Sequence, residues 1–276
     1  MIDLAPHHKI GLSVKNPILL AGGTIGYGEA LHPGLDVKQL GAVVVGPLLR
    51  HSAAGVPPPR LAEVAGGFIL ATGLQNRGVS DVIKRFARLW TRLGTPVIVQ
   101  VAETYPQSLA FVLEQLATIE SVVAIELLFA PDTEAEIIRR AVHTAGQVID
   151  LPLWVKLPLA SAALMAPVAV AAGAVGVVVG QPPLGAAMRT MAGESAATMV
   201  QGTLHGPLVF SLMLAELIAV SKLALPAALI ACGGIHTQEQ AQTALNIPGV
   251  GALQLDGALW VEPGLPMRLA AAFSQA

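Results

Sequence analysis

The sequence predicts one (β/α)8 barrel, the TIM-barrel architecture, as a single domain over residues 1–276. Three observations predict it. The chain has 276 residues, and a single α/β barrel occupies ~200 to more than 250. Hydrophobic residues make up 54% and charged residues 12%, about half the ~25% charged share of an ordinary soluble domain, so the chain forms a large core and is neither disordered nor a coiled coil. Short β-branched or apolar runs recur eight times, with helix-like segments between most of them, and such alternation builds a parallel sheet covered by helices. A doubly wound open sheet is the other arrangement with this alternation.

The first strand is read at residues 18–21 and the second at 42–45. A Gly- and Pro-rich segment over residues 55–78 follows, too long for a plain connection, so it is functional or carries a hairpin of its own. Ser80 opens the helical pattern at 79–93 as a candidate cap. The third strand, 97–101, leads into a helix at 107–118, and the fourth, 123–127, into a helix at 133–149. The fifth strand is 153–157. From Leu157 to Met188 no residue is charged, but Pro158, Pro167, Gly173, Gly176, Gly180, Pro182 and Pro183 interrupt the stretch. A spanning helix needs ~20 continuous apolar residues, so this stretch reads as a helix and then a sixth strand, 175–179, buried on both faces. A helix at 208–223, a strand at 229–232, a helix at 237–245, a strand at 252–255 and a terminal helix at 265–273 complete the alternation. Thr237 and Gln240 have the spacing of a capping box.

Sixteen Lys plus Arg against eighteen Asp plus Glu give a net charge of −2, which supplies no field for nucleic acid or an anionic membrane. A single cysteine, Cys232, excludes an internal disulfide and a Cys-based zinc cage and suits a cytoplasmic protein; it reads as a small buried hydrophobe. The opening Met1-Ile2-Asp3-Leu4 has no basic n-region, so no secretory leader is expected. His51, His205 and His236 fall in loops without the spacing of metal ligands, and no metal site is expected. The excess of apolar residues suits a subunit interface, hence a homo-oligomer.

The long segment reads Gly55-Val-Pro-Pro-Pro-Arg60-Leu-Ala-Glu63, then Gly66-Gly67 and Gly73-Leu74-Gln75-Asn76-Arg77-Gly78. It is similar to the long loop of class 1 dihydroorotate dehydrogenases, FMN-dependent barrels that oxidise dihydroorotate. The resemblance extends to Lys15-Asn16-Pro17, Ala21-Gly22-Gly23-Thr24-Ile25-Gly26-Tyr27-Gly28, Ala124-Ile125-Glu126-Leu127 and Val155-Lys156-Leu157. It continues through Gly202-Thr203-Leu204-His205-Gly206-Pro207 and Cys232-Gly233-Gly234-Ile235, so it covers nearly the whole chain. It implies a barrel with its site at the C-terminal strand ends.

Against that family pattern several polar groups are exchanged. The lysine that ends strand two is Gly46, and the substrate-binding asparagine of the long loop is Leu70. Gln100 replaces an asparagine after strand three, Leu128 replaces another after strand four, and Gln181-Pro182 replaces the Asn-Thr or Asn-Ser after strand six. His205 takes a serine's place. The family's cysteine or serine base and its mobile loop have no counterpart in Leu127-Leu128-Phe129-Ala130-Pro131-Asp132-Thr133-Glu134. Each lost buried contact costs roughly 1–3 kcal/mol, so the changes at Gly46, Leu70, Leu128 and Pro182 weaken dihydroorotate recognition by at least ~4 kcal/mol, about a thousandfold. Loss of a positioned base removes a further ~10²–10⁴ in rate. Ordinary dihydroorotate oxidation is therefore not expected.

The resemblance places FMN against Ala21, Gly22, Lys156, Gly206, Gly233, Gly234 and Gly257. Lys156 would reach the pyrimidine edge of the flavin, where a cation stabilises the reduced form. The other reading of Lys156 is an ion pair inside the barrel with Glu126, which shares its inward parity. Phosphate would sit on backbone N–H groups between the last two strand ends. Asp256, where the family has a Gly-Thr or Gly-Ser, repels a dianion there unless it turns away or is protonated. Arg60 and Asn76 are expected to hold the long loop in shape, and Glu103 to be a loop carboxylate near the mouth. Three functions stay open. One is an FMN-dependent oxidoreductase acting on a less polar substrate. The second is a flavin-free pseudoenzyme that binds a small-molecule ligand or a partner, such as an iron–sulfur electron-transfer subunit. The third is unrelated chemistry through Glu103, Glu126 and Asp256.

Overall fold

The computed structural model describes residues 1–190, 193 and 196–274. Eight strands close into a barrel: β1 (Ile18–Leu20), β2 (Ala42–Leu48), β3 (Val97–Val101), β4 (Val122–Leu128), β5 (Leu153–Pro158), β6 (Gly176–Gln181), β7 (Ala228–Cys232) and β8 (Val250–Leu255). Each is hydrogen-bonded in parallel to the next, and β8 pairs with β1 through Leu253 opposite Ile18. That last pairing excludes the open sheet. The helices α1 (Val79–Arg92), α2 (Pro106–Leu116), α3 (Ala135–Val148), α4 (Ala162–Ala171), α5 (Val209–Ser221), α6 (Gln238–Leu245), α7 (Ala258–Val261) and α8 (Leu265–Phe273) lie between or after the strands. Among the described residues no helix is long and apolar enough to cross a membrane.

Strand alternation sorts the core into two shells. One set of residues, such as Val43, Val97, Val99, Val155 and Val179, packs outward against helix positions such as Leu113, Val142 and Met213. The alternate set, Leu19, Val44, Ile98, Trp154, Val178 and Ile230, fills the barrel. Trp154 dictates much of that filling. A Cβ on Gly176 would lie 2.3 Å from its ring, and its indole N–H donates to the carbonyl of Leu4, which with Ala5 floors the barrel.

Two irregular parts shape the mouth. The long segment does carry a hairpin, Leu61–Val64 against Gly67–Leu70. A second hairpin, Leu184–Thr190 against Ala197–His205, follows β6 and joins the first through pairing of Thr203 with Leu70, giving a four-stranded side sheet. The sequence reading missed this second hairpin because its first strand contains Gly185, Ala186 and Ala187, which lack the branched and aromatic side chains that mark strands. The cap of α1 also differs from expectation: Gly78 is the N-cap residue and Ser80 lies inside the first turn. Asn76 fixes this entry, its side-chain carbonyl accepting from the backbone N–H groups of Leu49 and Gly78. The box at Thr237 and Gln240 forms as the spacing predicts.

Candidate functional site

Above the apolar filling, the inward positions of four strands turn polar. Gln100 on β3 stands opposite Glu126 on β4, Lys156 follows Trp154 by two on β5, and Gln254 lies on β8. Gln100 Nε2 donates to Glu126 Oε1 at 2.6 Å, and Gln254 Nε2 donates to Glu126 Oε2. Lys156 Nζ donates to Gln254 Oε1 at 3.0 Å. Gln254 thus relays charge, its oxygen toward the ammonium and its N–H toward the carboxylate. The ion pair read from parity is therefore indirect: among the described residues no direct contact joins Glu126 and Lys156. The sequence reading missed Gln254 as a member of this layer, although one polar residue inside the apolar run Ala252-Leu253-Gln254-Leu255 is a visible signal.

Lys156 is 4% exposed. Burial alone lowers the pKa of its ammonium, but the Cys232 sulfur when ionised, together with Glu126 and Asp256, more than offsets this and holds it above the ordinary lysine value. Burial pushes the Cys232 thiol up to about 12, so at neutral pH it is an uncharged thiol and the balancing charge comes from the carboxylates. Such a thiol is a poor nucleophile.

A second polar group lies at the rim. Asp256 Oδ2 accepts from His205 Nδ1 at 3.2 Å, and His205 Nε2 is 2.9 Å from Thr203 Oγ1. Burial raises the pKa of Asp256, but the His205 hydrogen bond, the charges of His205 and Lys156 and the backbone N–H of Gly257 bring it below the usual aspartate value. The His205 ring stacks on Phe68, with centroids 5.2 Å apart, and Phe68 stacks on Trp260 at 4.9 Å. Gly22, Phe68, Leu70, His205, Asp256 and Trp260 enclose a cavity of about 70 Å³. Nearby, Gln181 Oε1 at the end of β6 and His236 Nε2 just after β7 are buried polar atoms without a partner among the described residues. Burial, opposed only by Asp256, lowers the pKa of His236.

The residues matched to flavin contacts lie around this mouth, and protein packs against most of them. Ala21 is buried and its N–H donates to Leu255. A Cβ on Gly22 would lie 2.6 Å from the Gln100 carboxamide. One on Gly206 would lie 2.4 Å from the carbonyl of Gly66, and one on Gly234 would lie 2.1 Å from the backbone of Phe210. Gly257 faces the Phe68 ring, 3.2 Å from where its Cβ would be, and Gly233 faces Val209 at 3.5 Å. At the end of β2, Gly46 has φ 108° and its Cβ would lie 2.7 Å from the carbonyl of Gln100, so no side chain can project there. Leu70 lines the cavity. Arg60 donates to the carbonyls of Val56 and Ala54 and to Gln75, holding the long loop together. Asn76 donates to the carbonyl of Pro47 and so ties that loop to the end of β2. Glu103 is used locally, accepting from the backbone of Arg50 at 2.6 Å. Among the described residues there is no cluster of metal-ligating side chains.

Comparison with known proteins agrees with the barrel and the order of these motifs. A family model described as dihydroorotate dehydrogenase matches residues 6–269. The catalytic subunit of dihydroorotate dehydrogenase B (NAD(+)) from Alkaliphilus oremlandii is 30% identical over 274 residues, 95% of this chain and 90% of that protein. The Geobacillus kaustophilus protein of the same name is 29% identical over 269 residues, covering 92% and 84%. The Desulforudis audaxviator one reaches 38%, but over 126 residues only, 45% of this chain and 41% of that protein. A barrel closed in this order, with a match along almost its entire length, places the chain in the dihydroorotate dehydrogenase family.

Proposed function

We propose that this chain is a flavin-free member of its family, a pseudoenzyme that binds a small-molecule ligand or a partner subunit and does not oxidise dihydroorotate. The observation that carries this reading is the filling of the mouth: Gln100 covers Gly22, Phe68 covers Gly257, and the cavity left between them is about 70 Å³. Small-molecule sites run from ~300 to 1,000 Å³. The residues present do not fit FMN. Asp256, buried and held ionised below its usual range, meets the phosphate end with like charge. The polar groups that dihydroorotate would need are replaced by Gly46, Leu70 and Leu128, the stretch Leu127 to Pro131 carries no titratable side chain, and Asp132 after it is exposed. The unpartnered Gln181 Oε1 and His236 Nε2 supply an acceptor and a ring nitrogen that a small polar ligand could satisfy.

A second reading, a divergent FMN-dependent oxidoreductase, is favoured by one observation: Lys156 keeps its inward place and its charge. In that reading Lys156, Ala21, Gly22, Gly206, Gly233, Gly234 and Gly257 hold the cofactor after the mouth opens. The name of the relatives, a catalytic subunit, supports a partner chain such as an electron-transfer subunit. Exposed Leu184, Met188 and Met199 on the second hairpin support self-association. A cytoplasmic location completes the proposal. The visible spectrum of freshly purified protein, with a dihydroorotate oxidation assay, tests it. A colourless, inactive protein is expected; a yellow protein that turns over dihydroorotate would refute the reading.

A further inference from the structure

We propose that the mouth is a self-occupied site in which Phe68 fills a slot shaped for an uncharged planar aromatic ligand between His205 and Trp260. The inference rests on the flavin-free reading and adds the identity of the occupant. Phe68 sits on the hairpin strand Gly67–Leu70, where alternation turns Phe68 and Leu70 toward the cavity and sends Ile69 into the side-sheet core with Ala62 and Val200. Its ring lies 9° from the plane of His205 and 16° from that of Trp260. Filling a gap needs only apolar bulk, which a leucine supplies. His205 is also the cross-strand partner of Phe68, and removing a ring that lies nearly parallel to both neighbours leaves room for a flat π system.

The charges around the slot select among flat ligands. Lys156 is already balanced by Glu126 through Gln254, so the deep end offers no free cation. Asp256 lies at the wall and faces His205. An anionic ring system is disfavoured and a neutral one accepted. Trp260 is 48% exposed, so one wall of the slot reaches the surface. Phe68 itself is carried by an inner strand of the side sheet and not by a barrel strand, so removing its ring leaves the barrel ladder intact.

Titration of indole and of FMN into the full chain and into Phe68→Ala and Phe68→Leu, by calorimetry, tests the proposal. Phe68→Ala adds a phenyl's volume to the cavity and should bind indole at least about tenfold tighter than the unchanged protein, as expected for stacking on two ring faces. Phe68→Leu, still filled, should bind like the unchanged protein, and FMN should gain nothing in either variant. If Phe68→Ala folds poorly, indole should raise its melting temperature by binding the native state. A folded Phe68→Ala with no gain for indole, an unfolded one that indole does not rescue, or an equal gain in Phe68→Leu would overturn the slot. A purified protein already carrying FMN would overturn the flavin-free reading, while the indole comparison between variants would still judge the role of Phe68.

Discussion

The two ends of the barrel interior are built from the same strands by opposite means. At the lower end Trp154, Ile98, Val44 and Ile230 fill the space with apolar bulk, and glycine and alanine yield room to the indole. At the upper end Gln100, Glu126, Gln254 and Lys156 fill it with a continuous hydrogen-bond chain, and a second cluster, His205, Asp256 and Phe68, covers it. Apolar packing at the lower end is strong and insensitive to charge. The polar layer contributes less net stability, because desolvation of each charge offsets most of the attraction, yet it is costly to break on one side.

Four experiments test this contrast. Trp154→Ala should be the most damaging, about 5 kcal/mol at the upper end of large-to-small core changes, read from urea unfolding. Glu126→Leu should cost about 3–5 kcal/mol by leaving Lys156 without its relayed partner, whereas the double variant Glu126→Leu with Lys156→Met should recover most of that loss. A double variant as unstable as the single one would show that the layer is held by packing, as the lower end is. Asn76→Ala should cost about 2 kcal/mol through two backbone N–H groups left without their acceptor, and should loosen the long loop to proteolysis.

The fourth concerns acid. The folded-state pKa of Asp256 lies below the ordinary value, so its contribution is present at neutral pH. It is lost as pH falls from about 4, the unfolded value, through the lower folded one. Asp256→Asn should therefore flatten the stability profile on the acid side of about pH 5 and leave the Trp154 end unaffected. Identical acid limbs in the two proteins would place the acid sensitivity elsewhere.

Much of this contrast is legible in the sequence. The eight strands and the alternation of helices are set by apolar runs and punctuation, and the inward parity of Glu126 and Lys156 follows from counting by two. The vacancies at Gly46, Leu70 and Leu128 are visible wherever a motif supplies an expectation. What cannot be read locally is the partner of each group. Gln254 meets Lys156 and Glu126 only because barrel closure brings β8 near β4 and β5, and these residues are 98 and 128 positions apart. Phe68 reaches Gly257 only through the side sheet, one strand of which carries Gly185, Ala186 and Ala187 and lacks a strand signature. Ser80 misled for a local reason: the glycine two residues earlier adopts φ 81° and starts the helix first.

A flavin-free protein requires a mouth filled by its own side chains. Titration of FMN into the purified full chain, followed by the quenching of flavin fluorescence, tests this most directly. No saturable binding up to about 1 mM, an affinity no better than ~4 kcal/mol, is the predicted result. Stoichiometric binding with a micromolar Kd would contradict it.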